Sequence, residues 1–146
     1  MNHSCRTHRP PMPPICDRDA ALEAVAVPTD GGRAPCVVLG CLDVDRRPLT
    51  MFVIEGSPPT AEPLVLALDV LLEAVAMQPV GVPLDALVMA SSRPGQVSEP
   101  TVADRAAWDA VDARCEAAGI ELLDWFILAD GAWNSVPDLL GEPDRW

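Results

Sequence analysis

Two groups of side chains in this sequence are of types that carry chemistry. The first is Ser91-x-Arg93-Pro94 followed by Thr101-x-x-Asp104, two hydroxyls, a guanidinium and a carboxylate set along a Pro- and Gly-punctuated loop. The second is His3, Cys5, His8 and Cys16 near the N-terminus, all competent zinc donors. Zinc takes imidazole, thiolate or carboxylate donors, and a catalytic zinc needs three of them plus an open position for activated water. In the loop only Asp104 qualifies. Arg93 cannot deprotonate and so cannot ligate a metal. Near the N-terminus, Cys5-x-x-His8 could chelate, but its spacing matches none of the paired structural-zinc patterns, and an untidy tail is the simpler reading. Cys115 is a third candidate, as a nucleophile. Neither His3 nor His8 falls in the expected core to activate it, which favours a structural thiol.

The elements that must position these groups follow from the patterning. Residues 1–16 hold four prolines among polar residues and read as a Pro-rich tail without a buried periodicity. Asp17 is a capping residue ahead of helix formers, so a short helix is expected over 17–26. Residues 36–42 are a continuous apolar run bounded by turns, a strand buried on both faces, and 49–54 return as its antiparallel partner. Residues 64–77 carry only Asp69 and Glu73 as charges, spaced i,i+4, which predicts a central buried helix packed on at least two sides, ended by Pro79 and Gly81. Residues 86–90 form a third strand leading into the loop.

Thr101 then sits at an N-cap with Asp104 at the third helical position, a capping-box arrangement in which Asp replaces the usual Glu. The cap alone is worth on the order of 1 kcal/mol, so the fold needs both residues even without catalysis. The helix over 101–118 is expected to bury a face of small residues, Ala103, Ala106, Ala107, Ala110, Val111, Ala117 and Ala118. Core packing is the expected role of the tryptophans, with a contact surface as the alternative for Trp108, which falls near the charged side of this helix. Gly119 supplies a left-handed stop, 120–128 a strand, Asp130-Gly131 a tight turn, and 133–136 the returning strand, with Trp125 and Trp133 facing each other across the hairpin. The last six residues, 141–146, are expected to fray.

The whole chain has 146 residues, the length of one ordinary domain, here assigned to residues 17–140. A net charge of −12 disfavours direct binding to nucleic acid or to anionic membrane surfaces, and no Arg-rich stretch lies outside the first nine residues. Five cysteines, three of them in apolar elements, indicate a reducing, cytoplasmic compartment. Prolines and charges break the N-terminus, so no secretory signal is expected. The run over 64–77 is too short and too charged to span a bilayer.

Three separated segments in one order resemble the RadC-like branch of the JAB/MPN metallopeptidase family. Leu39-Gly40-Cys41-Leu42-Asp43, with the polar turn and strand ending near Glu55-Gly56, resembles its first hairpin. Residues 90–104 resemble its metal loop and following helix. Gly119-Ile120-x-Leu122-Leu123-Asp124, with Asp130-Gly131 and Ser135, resembles its closing hairpin. The likeness covers roughly residues 36–136 and leaves no room for the upstream helical domain of full RadC proteins.

The resemblance implies an α/β fold, a three-layer, cytidine-deaminase-like arrangement with a mixed sheet, a central buried helix and a second packed helix. In that family two His and an Asp bind zinc, a Ser supports the tetrahedral intermediate, and a Glu near the first strand is the base. The His positions fall here on Ser91 and Arg93, the Asp on Asp104 and the Ser on Thr101. The Glu would fall near Pro35, where no carboxylate stands. The implied protein is a degenerate member with no catalytic residue, no metal and no cofactor, a non-catalytic interaction or scaffold module. Arg93 would either pair with Asp104 in place of the metal or stand with it as an independent, solvated side chain. Its partner would be another protein, a second copy of the chain included. The alternatives are a zinc-dependent hydrolase drawing ligands from the Cys/His tail, and a DNA-repair-associated factor by analogy with the family name.

Overall fold

Apolar runs of strand length are stable only if something covers both of their faces, and that requirement shapes the chain. The computed structural model describes residues 13–77 and 84–146. β1 (Cys36–Leu42) is buried at every position. β2 (Pro48–Glu55) is its antiparallel partner, with Val37 opposite Ile54 and Leu39 opposite Phe52. The polar turn between them is closed by the Asp43 carboxylate, which accepts from the Asp45 and Arg47 amides at 2.9 Å each. β3 (Ala86–Ser92) pairs antiparallel with the other edge of β1, and β4 (Glu121–Ala129) lies parallel to β3. β5 (Ala132–Ser135) folds back on β4 through Asp130 and Gly131, whose φ values of 49° and 87° both lie in the left-handed region that this two-residue turn requires. The result is one mixed five-stranded sheet in the order β2-β1-β3-β4-β5.

Helices cover the two faces. α1 (Arg18–Thr29) buries Ala21 and Val25 in a core shared with Val38, Val88 and Phe126. Its N-cap is Asp17, as expected, accepting from the Ala20 amide at 2.7 Å. On the opposite face, α2 (Glu62–Ala76), α3 (Val102–Ala117) and the short α4 (Val136–Leu139) close a core of Leu39, Met89, Trp108, Trp125 and Ile127. After α1, a tight turn (Asp30–Gly32) presses Gly32 against β4: a Cβ there would lie 2.6 Å from the Ala129 amide nitrogen, so only glycine fits.

Several expectations need correction. α2 is not central. Only Leu64 and Leu68 are buried on it, while Leu66 and Val70 are 58% and 68% exposed. The helix packs on β1 and α3 near the β2 margin, so its apolar character exceeds what the molecule covers. The expected stop at Pro79 and Gly81 lies outside the described residues. α3 buries Asp104, Trp108, Val111 and Cys115 rather than its alanines, of which Ala103, Ala106, Ala110 and Ala117 are exposed. An indole buries far more apolar surface than a methyl group, so the i, i+4, i+7, i+11 stripe with Trp108 wins over the small-residue face.

Trp125 and Trp133 do not meet either. Trp125 points into the α3-side core, while Trp133, opposite Leu128, packs edge-on to Phe126 with ring centroids 5.9 Å apart. The C-terminal residues are held rather than frayed: Arg145 bonds Asp112 at 2.7 and 3.0 Å, and the Trp146 indole donates to Asp124 at 3.1 Å. The first twelve residues of the Pro-rich tail, with His3, Cys5 and His8, lie outside the described residues. Just after them, the Ile15 amide donates to the Arg46 carbonyl at 2.8 Å, and Ile15 packs on the α1-side core.

Candidate functional site

Alternation along β3 puts Leu87, Met89 and Ser91 on the α3 side of the sheet. Ser91 keeps to that side, where its hydroxyl accepts from the Trp125 indole at 3.1 Å, both groups being buried. One further step along the same side, past the strand end, comes Arg93. Its own amide is fixed by the Leu128 carbonyl at 2.8 Å, so the strand end cannot drift from β4.

The helix supplies the rest. Thr101 caps α3 by accepting from the Asp104 amide at 3.1 Å, and the Asp104 carboxylate returns to accept from the Thr101 amide at 2.8 Å, completing the capping box. This fixes the Asp104 rotamer with both oxygens turned toward the strand end, Oδ2 being shared with the Thr101 amide. The Arg93 guanidinium meets it in a bidentate fork: Nη1 donates to Oδ2 at 2.7 Å and Nη2 to Oδ1 at 2.8 Å. The side chains are 4% and 1% exposed, so the pair is closed from water. Charge-assisted, two-point pairing of this kind is both strong and geometrically specific. Burial by itself would raise the Asp104 carboxyl, but the Arg93 hydrogen bonds, the Thr101 amide and the Arg93 charge together hold it below its ordinary value of 3.8.

This arrangement brings together three of the four residues singled out from the sequence, Arg93, Thr101 and Asp104, and leaves Ser91 on the same face but bonded elsewhere. The zinc that the resemblance implies does not fit these residues. Both Asp104 oxygens are already engaged by the guanidinium, and Ser91 is a neutral hydroxyl with a donor on it. Among the described residues no three His, Cys, Asp or Glu side chains gather as metal donors. Nor is a thiol poised for attack. Burial pushes Cys115 and Cys41 up to about 11, so neither is a thiolate near neutrality.

A second buried carboxylate went unassigned in the sequence. β4 carries one extra residue against β3: Leu87 faces Leu122 but Val88 faces Asp124. That bulge turns Asp124 to the α1 side together with Leu123, although it immediately precedes the inward Trp125. There, completely buried, Asp124 accepts from Arg18 Nε at 2.8 Å, Ser135 Oγ at 2.6 Å, the Trp146 indole at 3.1 Å and the Trp125 amide at 3.0 Å. Ser135 in turn accepts from the Asp138 amide at 3.3 Å and caps α4. The signal was present as one carboxylate within the apolar run Leu122-Leu123-Asp124-Trp125-Phe126.

Among the described residues no helix is long and apolar enough to cross a membrane. No protein-family model matches this chain, and no curated protein matches it.

Proposed function

We propose that this chain is a RadC-like JAB/MPN domain whose hydrolytic centre is replaced by an ion pair, and that it acts as a non-catalytic protein-interaction module in the reducing cytoplasm. One observation carries the reading: the bidentate, buried Arg93–Asp104 pair lies where the resemblance places the zinc. The guanidinium neutralises the carboxylate that the metal would have neutralised. The guanidinium engages both oxygens of the one carboxylate that could ligate, so this pair and a metal on Asp104 compete for the same atoms.

The mixed sheet covered by helices on both faces and the succession of strand, Pro/Gly loop and capped helix support the reading, while the central buried helix that the resemblance implies is not found, α2 being half exposed near the β2 margin. Three buried thiols that are unpaired among the described residues, Cys36, Cys41 and Cys115, agree with a reducing compartment. Metal analysis of the full chain, purified without chelator, tests the reading. Sub-stoichiometric zinc, unchanged in Asp104→Ala, is the expected result. Stoichiometric zinc lost in Asp104→Ala would overturn it, and zinc lost on deleting residues 1–16 would instead favour a hydrolase that draws ligands from the tail.

A further inference from the structure

Among the described residues β2 is an edge strand, with apolar side chains on both of its faces. Leu49, Met51, Phe52, Val53 and Ile54 are each between 38% and 45% exposed. Phe52 and Ile54 point to the α2 side, where they border a groove of about 590 Å³ with Leu66, Val70 and Leu71. Met51 lines a second groove of about 670 Å³ on the α1 side, with Ile15, Val25 and Gly40. Edge strands of natural proteins are ordinarily blunted by Lys, Pro, a bulge or an inward charge. Residues 50–54 hold none of these, and the blunting devices of β2 are confined to its first end, where Pro48 opens the strand and the register skips Leu49 between the Cys41–Thr50 and Leu42–Pro48 pairs.

The phase of the free edge can be read from the β1–β2 ladder. The Gly56 amide donates to the Pro35 carbonyl at 2.7 Å. Hydrogen-bonded pairs alternate from there, so Ile54 and Phe52 turn their backbone groups toward β1, and Met51, Val53 and Glu55 turn theirs outward. An antiparallel partner strand must match outward groups with outward groups. A second β2 does so when Phe52 lies on the two-fold axis: Met51 then faces Val53 of the other copy. That register pairs the two Phe52 rings on the α2 side and keeps the two Glu55 carboxylates at opposite ends.

We infer that β2 is the dimer interface of this protein, pairing with β2 of a second copy to make a continuous ten-stranded sheet. Three features favour a second copy over an unlike chain. The register is self-complementary, as a two-fold contact requires. The patch carries no charge between Leu49 and Ile54 for an unlike partner to read, although the whole chain carries −12. The area also suffices. With Leu66 and Val70, the exposed parts of the five β2 side chains amount to roughly three whole large side chains, on the order of 600 Å². That approaches the ~800 Å² that one partner contributes to a standard interface. The inference deepens the reading of the chain as an interaction module. It rests on β2 and not on Arg93–Asp104, so a monomer free of zinc would sink the dimer and leave the closed site standing.

Sedimentation equilibrium of the full chain at tens of micromolar tests it. The expected mass is twice the 15.6 kDa of one chain, and Val53→Lys, which places a charge on the outward edge, is expected to give a monomer with an unchanged circular dichroism spectrum. A wild-type monomer, or a dimer that folded Val53→Lys leaves intact, would overturn the assignment. Should Val53→Lys fail to fold, Phe52→Cys decides. A non-hydrogen-bonded pair on the two-fold has Cα atoms ~4.5 Å apart, within disulfide reach. Phe52→Cys should therefore cross-link under mild oxidation beyond the wild-type background set by exposed Cys16. No gain over that background would overturn the register.

Discussion

The two faces of the sheet each bury one carboxylate against one arginine, and the pairs differ in how they are closed. On the α3 side, Asp104 and Arg93 are 1% and 4% exposed and meet in a two-point fork, with the helix cap as the only further donor. On the α1 side, Asp124 is completely buried but Arg18 is 22% exposed and gives one short bond, the remaining acceptor capacity being met by Ser135 and the Trp146 indole. One carboxylate depends on a single buried cation. The other is held by a spread of mostly neutral donors and a cation that can turn to water. A buried charge with one partner is the more fragile arrangement, because loss of that partner leaves nothing to compensate it.

That contrast can be broken most forcefully at Asp104. Asp104→Ala strands the Arg93 guanidinium and removes half of the capping box, and is expected to cost about 3–5 kcal/mol in urea-denaturation stability. Asp124→Asn should cost less, about 1–3 kcal/mol by the same measurement, because Arg18 can rotate into solvent and an amide oxygen still accepts from Ser135. A loss at Asp124 as large as that at Asp104 would erase the distinction.

The smallest effect is expected from pH, since protonation leaves the Asp104 carboxyl in place to accept from the Thr101 amide. Its folded-state value is lowered, so its contribution is fully present above the unfolded value of ~3.9 and is lost as pH falls through that value toward the lower folded one. The stability difference between wild type and Asp104→Asn should therefore be constant from neutrality to about pH 5 and shrink toward pH 3. A difference that grows on acidification would contradict the assigned direction.

Much of the architecture was legible because short-range chemistry dictates it. The Thr101 and Asp104 types at i and i+3 announce a capping box, and the left-handed Asp130-Gly131 turn announces the last hairpin. The Arg93–Asp104 pair was also legible, since the loop leaves a fixed cation and a carboxylate at neighbouring ends of a strand and a helix. What stayed hidden depends on long-range packing. The buried face of α3 is chosen by Trp108, whose indole finds Glu142 at 3.1 Å and the Arg145 guanidinium 5.3 Å from its ring, contacts made by the C-terminal residues that sequence reading left to fray. Asp124 reaches the α1 side only because of a bulge against β3, which no periodicity reveals. The exposure of α2 follows from its place near an edge, and β2 is an edge only because no sixth strand lies beside it among the described residues.

The central claim, that a mutually dependent ion pair closes the end of β3 against α3, is tested most directly by a double-mutant cycle of Arg93→Met, Asp104→Leu and the pair together, read as unfolding free energy. The account predicts that each single change is strongly destabilising while the double variant recovers much of the loss, giving a coupling of about 2 kcal/mol or more. Losses that add to within about 0.5 kcal/mol would show that the two side chains act independently, and would contradict it.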